Sequence, residues 1–168
     1  MKEQGQTIAV VPGSFDPITY GHIEIVKQAL ARYDRIYLAV MINATKQYMF
    51  SMEERVAIAK AALSELDRVE VIASEGMLWK LAEDLRATGI VKGYRNEKDL
   101  AYEQEMAAFN LSHNPNAPTV LLRAPESMET LSSTLVRERL QNGESLKGYL
   151  PDNAIAEIEK IISERGSF

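Results

Sequence analysis

Ser14, Thr19 and His22 crowd one short segment, Gly13-Ser14-Phe15-Asp16-Pro17-Ile18-Thr19-Tyr20-Gly21-His22. Two hydroxyls and an imidazole suit an anion, and phosphate is the obvious one. Thr19 and His22 stand three apart, so a helix starting there turns both to one side, beside the unpaired N–H groups of its first turn. The positive end of the helix dipole adds to the attraction. Lys46, Lys92 and Arg95 supply cations further along, and Ser132-Ser133-Thr134 supplies a second run of hydroxyls. Such a set has no evident nucleophile. It fits a reaction in which the substrate brings its own nucleophile and the protein supplies positioning and charge, as in phosphoryl or nucleotidyl transfer.

Each residue also has a plainer reading. His22 can be a satisfied helix-start histidine, Ser14 a turn residue, and Ser132 to Thr134 an N-cap. Lys46, Lys92 and Arg95 can be solvated cations, and Glu103, in Tyr102-Glu103-Gln104-Glu105, part of a charged helix face. Two things weigh against these readings. Three successive hydroxyls exceed what a cap needs, and the cations all sit at the ends of expected strands. His113, among Asn and Pro, is expected to be solvated.

Those strands and helices come from apolar patterning. Thr7 to Val11 is a short apolar run, and Gly21 to Arg32 has apolar residues at helical spacing. Further strands are expected at Arg35 to Met41, Val69 to Ala73, Ile90 to Tyr94 and Thr119 to Ala124. Ser51-Met52-Glu53-Glu54 is a capping box that opens a helix. Helices are also expected at Met77 to Ala87, stopped by Gly89, at Asp99 to Ser112, and at Leu135 to Gln141. A last one follows Pro151-Asp152, with an isoleucine face free for an interface or the core. Strands alternating with helices indicate an α/β fold with a parallel sheet. Ligands of such sheets bind outside the carboxyl ends of the strands, where every polar cluster named above falls. Asn43 to Phe50 is the candidate for a loop that closes over substrate.

The 168 residues suggest one domain over 1–168, and a charged fraction of 26% is ordinary for a globular chain. A net charge of −5 argues against a nucleic-acid partner. No apolar run approaches the roughly 20 residues of a membrane span. The polar start is unlike a signal peptide, so a cytoplasmic location is expected. Without cysteine, disulfides, thiolate metal sites and cysteine nucleophiles are excluded. Gly-x-x-x-x-Gly-Lys-Ser/Thr, Gly-x-Gly-x-x-Gly and Gly-x-Ser-x-Gly motifs are absent, which argues against P-loop NTPases, dehydrogenases and α/β-hydrolases. No His and carboxylate cluster suggests a metal held by protein alone.

Ser14 to His22 resembles the T/H-x-G-H signature of the nucleotidyltransferase superfamily. More narrowly, the chain is similar to the bacterial phosphopantetheine adenylyltransferase family. Phe50-Ser51-Met52-Glu53-Glu54-Arg55, Lys92-Gly93-Tyr94-Arg95, Leu131-Ser132-Ser133-Thr134-Leu135-Val136-Arg137-Glu138 and Tyr149-Leu150-Pro151 carry that likeness. The resemblance implies a Rossmann-like five-stranded parallel sheet with helices on both faces. It implies adenylyl transfer from ATP to 4′-phosphopantetheine, giving dephospho-coenzyme A and pyrophosphate, with no covalent enzyme intermediate.

Residue roles follow the same likeness. His22 and Lys46 would be catalytic, and Ser14, Lys46, Leu78, Lys92 and Asn110 would bind phosphopantetheine. Ser14, Phe15, His22, Gly93, Tyr94, Arg95, Glu103 and the run Met128, Glu129, Thr130, Leu131, Ser132, Ser133 and Thr134 would surround ATP. Magnesium would arrive on the ATP phosphates. Homo-hexamers and inhibition by coenzyme A are further expectations of the likeness. Lys92 stands where many members have arginine, which exchanges a bidentate grip for a point charge. Thr134 replaces a serine, and Met128 a tryptophan seen in some members. Another nucleotidyltransferase, acting on nicotinamide mononucleotide or glycerol phosphate, is the alternative enzyme. A nucleotide- or coenzyme-A-binding module without turnover is the alternative of another class.

Overall fold

Short β-branched and aliphatic runs separated by helical segments fold as that alternation requires. A computed structural model describes residues 5–43, 45–128 and 130–166. In chain order the elements are β1 (Ile8–Gly13), α1 (Tyr20–Leu30), β2 (Arg35–Met41), α2 (Met52–Ala62), β3 (Val69–Ser74) and α3 (Leu78–Asp84). Then come β4 (Gly89–Tyr94), α4 (Glu97–His113), β5 (Thr119–Arg123), a 3-10 turn (Glu126–Met128), α5 (Ser133–Gln141) and α6 (Asp152–Arg165). The sheet order is β3-β2-β1-β4-β5. Every pairing is parallel.

Successive strand residues point to opposite faces, so each strand feeds two cores. Ala9, Val11, Ile36, Leu38 and Val91 pack with residues of α1, α2, α5 and α6. Ile8, Val10, Ala39 and Ile90 pack with Ala82 and the leucines of α3. Helix α4 lies against β4, β5 and α3. The fold is thus α/β and Rossmann-like, with helices on both faces of the sheet. The chain winds outward from β1 to β3, then returns to β4 on the other side of β1. Strands β1 and β4 therefore diverge at their carboxyl ends and leave a crevice, the usual ligand position in open α/β sheets.

One expectation changes, and one open alternative is decided. Helix α3 ends at Asp84, and Arg86, at φ 56°, takes the left-handed turn that Gly89 was expected to supply. Gly89 instead begins β4, where a Cβ would stand 2.8 Å from Tyr33 Cζ. Its missing side chain makes room for that ring. The isoleucine face of α6 belongs to the core: Ile158 and Ile161 are buried, with Ile155 and Ile162 packed beside them.

The segments that reach the crevice are tied together from below. Ser51 and Glu54 form the expected capping box at the start of α2. One turn on, Arg55 is only 1% exposed. Its guanidinium donates to Phe50 O (3.2 Å), Ser14 O (2.8 Å) and Met41 O (3.1 Å). The Tyr48 ring covers it at 4.0 Å. Asp16, also buried, accepts the backbone N–H groups of Met49 (2.9 Å) and Phe50 (3.0 Å). Arg55→Met leaves three carbonyls without their charged donor. It is expected to lower the unfolding free energy by about 3 kcal/mol or more, measured by urea denaturation.

Candidate active site

A cleft of about 450 Å³ opens between the carboxyl ends of β1 and β4. The β1–α1 turn forms its floor, and the start of α5 closes one side.

His22 sits in the first turn of α1, for which Thr19 is the N-cap. The Thr19 backbone N–H donates to His22 Nδ1 at 3.0 Å. That fixes the tautomer: in the neutral ring the proton is on Nε2. The Phe15 ring meets the imidazole edge-on at 5.1 Å. Burial, and secondarily the positive charge of Arg95, lower the His22 pKa from 6.5 to about 4. His22 is accordingly a neutral N–H donor at physiological pH. Thr19 differs from its expected role. Its hydroxyl is fully buried and donates to Leu131 O at 2.9 Å, so it latches the turn to the segment before α5 and is not aimed at an anion.

The hydroxyl run before α5 is divided in its duties. Ser132 Oγ caps the helix by accepting from Leu135 N at 3.1 Å. Ser133 Oγ donates to Pro17 O at 2.8 Å, and Thr134 Oγ1 accepts from Arg137 Nη2 at 3.1 Å. Capping accounts for Ser132 alone, and Ser132, Ser133 and Thr134 all line the cleft. What they offer an anion there includes first-turn backbone N–H groups, orphan donors at any helix start.

The cations come from three places. Lys46 lines the cleft from the loop after β2, and among the described residues nothing pairs with its ammonium. Lys92 projects from β4 and its Nζ lies 2.8 and 2.7 Å from the two Glu103 carboxylate oxygens. Glu103 is buried, so the plain reading of it as a solvated helix face does not hold. Arg95 follows β4, and its Nε donates to Asp99 Oδ2 at 3.1 Å. Gly93, between these cations, lets β4 approach α1: a Cβ there would stand 2.9 Å from Ile25 Cγ1.

Of the residues singled out in the sequence, Ser14, Phe15, Thr19, His22, Lys46, Lys92, Gly93, Tyr94, Arg95, Glu103, Met128, Leu131, Ser132, Ser133 and Thr134 line this one cleft. Leu78 and Asn110 do not line it. Leu78 begins α3 and packs on the second core. Asn110 is buried on α4, two turns beyond Glu103. Thr130 is exposed outside the cleft, and Glu129 lies outside the described residues.

Residues 10–139 match the cytidylyltransferase-like family. The chain is 40% identical over 155 residues to a phosphopantetheine adenylyltransferase of Lactobacillus acidophilus, covering 92% of this chain and 96% of that protein. It is 39% identical to the enzyme of the same name from Caldanaerobacter subterraneus subsp. tengcongensis, covering 86% of this chain and 91% of that one. The Streptococcus pyogenes enzyme of that name is also 39% identical, with coverage of 92% and 95%. The chain belongs to the phosphopantetheine adenylyltransferase family. As a member, it is a nucleotidyltransferase enzyme.

Three polar cleft residues of this adenylyltransferase-family chain have no role that their sequence context assigns: Asp99, Tyr102 and Arg137. Arg137 stands one turn beyond Thr134, so helical spacing alone would have put both on one face. Its Nη1 also donates to Asp16 O at 2.8 Å, a contact no local pattern reveals. Among the described residues, no helix is long and apolar enough to cross a membrane. Among the described residues, no group of three or more His, Asp or Glu is placed to hold a metal.

The lowered His22 pKa has a signed consequence. Between pH 6.5 and about 4 the unfolded chain binds a proton at this ring and the folded chain does not. The ring's contribution to stability is complete above 6.5 and is lost as pH falls toward 4. The urea midpoint is expected to fall more steeply across that window than in His22→Gln. NMR of the ring is expected to give a pKa near 4 that rises in Arg95→Ala.

Proposed function

We infer that this enzyme transfers the adenylyl group of ATP to 4′-phosphopantetheine, giving dephospho-coenzyme A and pyrophosphate in coenzyme A synthesis. One observation supports this most directly. A neutral histidine, its Nε2–H left for a ligand by the Thr19 contact, lines a crevice with anion-binding groups on more than one side. The names of the relatives supply the identity of the substrates.

The chemistry needs little from the protein beyond placement. The second pKa of a phosphate monoester is about 6, so the acceptor is mostly dianionic at neutral pH and needs no general base. One of its oxygens attacks the α-phosphorus of ATP in line. The new P–O bond forms as the bond from the α-phosphorus to the bridging oxygen breaks, and pyrophosphate leaves with that electron pair. Ser14 and Lys46 hold the acceptor phosphate. His22 donates Nε2–H to the α-phosphate, where charge builds up. Arg95 and the first turn of α5 take the triphosphate, with Phe15, Gly93, Tyr94 and Glu103 around the nucleotide. Lys92 faces the acceptor's arm, sharing its charge with Glu103.

Magnesium fits this site as a companion of the nucleotide. Asp99 and Glu103 are engaged by Arg95 and Lys92, and Asp16 by backbone N–H groups, so the phosphates would be its principal ligands. When bound it would neutralise phosphate charge. Assembly as a hexamer, inhibition by coenzyme A through the shared pantetheine arm, and a cytoplasmic location complete the reading.

Pyrophosphate release with ATP, magnesium and each of three acceptors tests it. Phosphopantetheine is expected to be the preferred acceptor over nicotinamide mononucleotide and glycerol phosphate by orders of magnitude. ATP binding without turnover on any acceptor would instead make the chain a binding module. His22→Ala is expected to lower kcat at least ~100-fold, the scale for one transition-state donor, with little change in the KM for ATP. Near-normal turnover in that variant rejects the role of His22.

A further inference from the structure

The loop that carries Lys46 is joined to the phosphate-binding turn by one side chain that the reaction scheme leaves unused. Lys46 N donates to Asn43 O at 2.9 Å, and Thr45 N and Oγ1 both donate to Asn43 Oδ1, at 3.0 and 2.7 Å. The Asn43 backbone N–H in turn donates to Tyr48 Oη at 2.7 Å. Tyr48 Oη stands 3.5 Å from Ser14 Oγ. The tyrosine ring covers the buried Arg55 guanidinium at 4.0 Å, and that guanidinium itself holds Ser14 O. Tyr48 is thus anchored by its ring and touches both polar partners with its hydroxyl.

The protons in this chain have a direction. Tyr48 Oη accepts from Asn43 N–H, so its own hydrogen is free to be donated. The serine oxygen is an acceptor within reach. A Ser14 hydroxyl that accepts from Tyr48 turns its own hydrogen elsewhere, and Ser14 lines the cleft. The 3.5 Å separation is long for such a contact. Hydrogen bonds of this kind tighten when a ligand is bound, here when an anion draws the serine hydrogen outward. Hydrogen bonds in series also polarise one another, so a donor behind Ser14 makes it a better donor in front.

We propose that Tyr48 is the positioning residue of the acceptor-phosphate end of the cleft, holding Ser14 as a donor toward that phosphate. This rests on the assignment of Ser14 and Lys46 to the acceptor phosphate made above. Tyr48 touches no substrate in this scheme and acts through Ser14.

A double-mutant cycle of Tyr48→Phe and Ser14→Ala, read by steady-state kinetics, tests it. Tyr48→Phe keeps the ring over Arg55 and removes only the hydroxyl. The KM for phosphopantetheine is expected to rise about five- to tenfold, the scale of one hydrogen bond, with the KM for ATP within twofold of the parent value. In the Ser14→Ala background the same substitution is expected to change the KM for phosphopantetheine less than twofold, because its target is gone. An unchanged KM in Tyr48→Phe overturns the proposal, and so does an equal effect in both backgrounds. A fall in melting temperature with parallel changes in both KM values makes Tyr48 a fold residue, and equally overturns it. Failure of the parent enzyme to use phosphopantetheine at all counts against the acceptor assignment and is read separately from the cycle.

Discussion

The cleft depends on how a buried positive charge is satisfied. Arg55 is one of the largest fully buried side chains in the protein, and its described partners are backbone carbonyls and an aromatic ring. Those carbonyls belong to the β1–α1 turn, the end of β2 and the residue before the α2 cap. A guanidinium can serve several acceptors at once because its donors are fixed in a planar fork. Burying such a charge is costly unless each contact is made, so the three segments are held in one relative position. Asp16 repeats the device with opposite sign, drawing two backbone N–H groups of the segment before α2 onto the same turn. The turn that bears Ser14 and His22 is braced from both sides by charges that never reach solvent.

That bracing matters because the proposed chemistry is one of placement. A reaction with no protein nucleophile gains its rate from donors fixed where charge will develop. In the proposed mechanism His22 is such a donor. The Thr19 amide takes one ring nitrogen, and burial beside a guanidinium keeps the other protonated and the ring neutral. A charged imidazole would bind the ground-state polyphosphate strongly. In the proposed mechanism a neutral donor binds the ground state less tightly, so less binding is spent before charge develops. Thr19 and Ser133 serve the same end: their hydroxyls tie the β1–α1 turn to the far wall, through Leu131 O and Pro17 O.

Much of this was legible in the residues. Strand β2 has the bounds its composition suggests, and the Ser51–Glu54 capping box is where its spacing puts it. Both are local: they depend on side-chain types within a few positions of one another. The end of α3 was misjudged because Gly89 looks like a helix stop, whereas a contact with Tyr33, far away in the chain, is what requires a glycine there. Thr19 departs from its local pattern for the same reason. Its hydroxyl partner lies more than a hundred residues on, and no spacing rule reaches that far.

The sequence by itself determined the alternation of strands and helices, hence a parallel sheet and a ligand site at the strand ends, because periodicity and capping are short-range physics. It also determined the chemical inventory of that site. Only the tertiary structure decided which groups are spent and which remain. Lys92 is already bound by Glu103, while among the described residues Lys46 has no such partner. One hydroxyl of the signature turn faces a carbonyl, and the histidine is neutral. These outcomes depend on burial and on distances between segments remote in the chain, and electrostatic energies at those distances exist only once the sheet has brought them together.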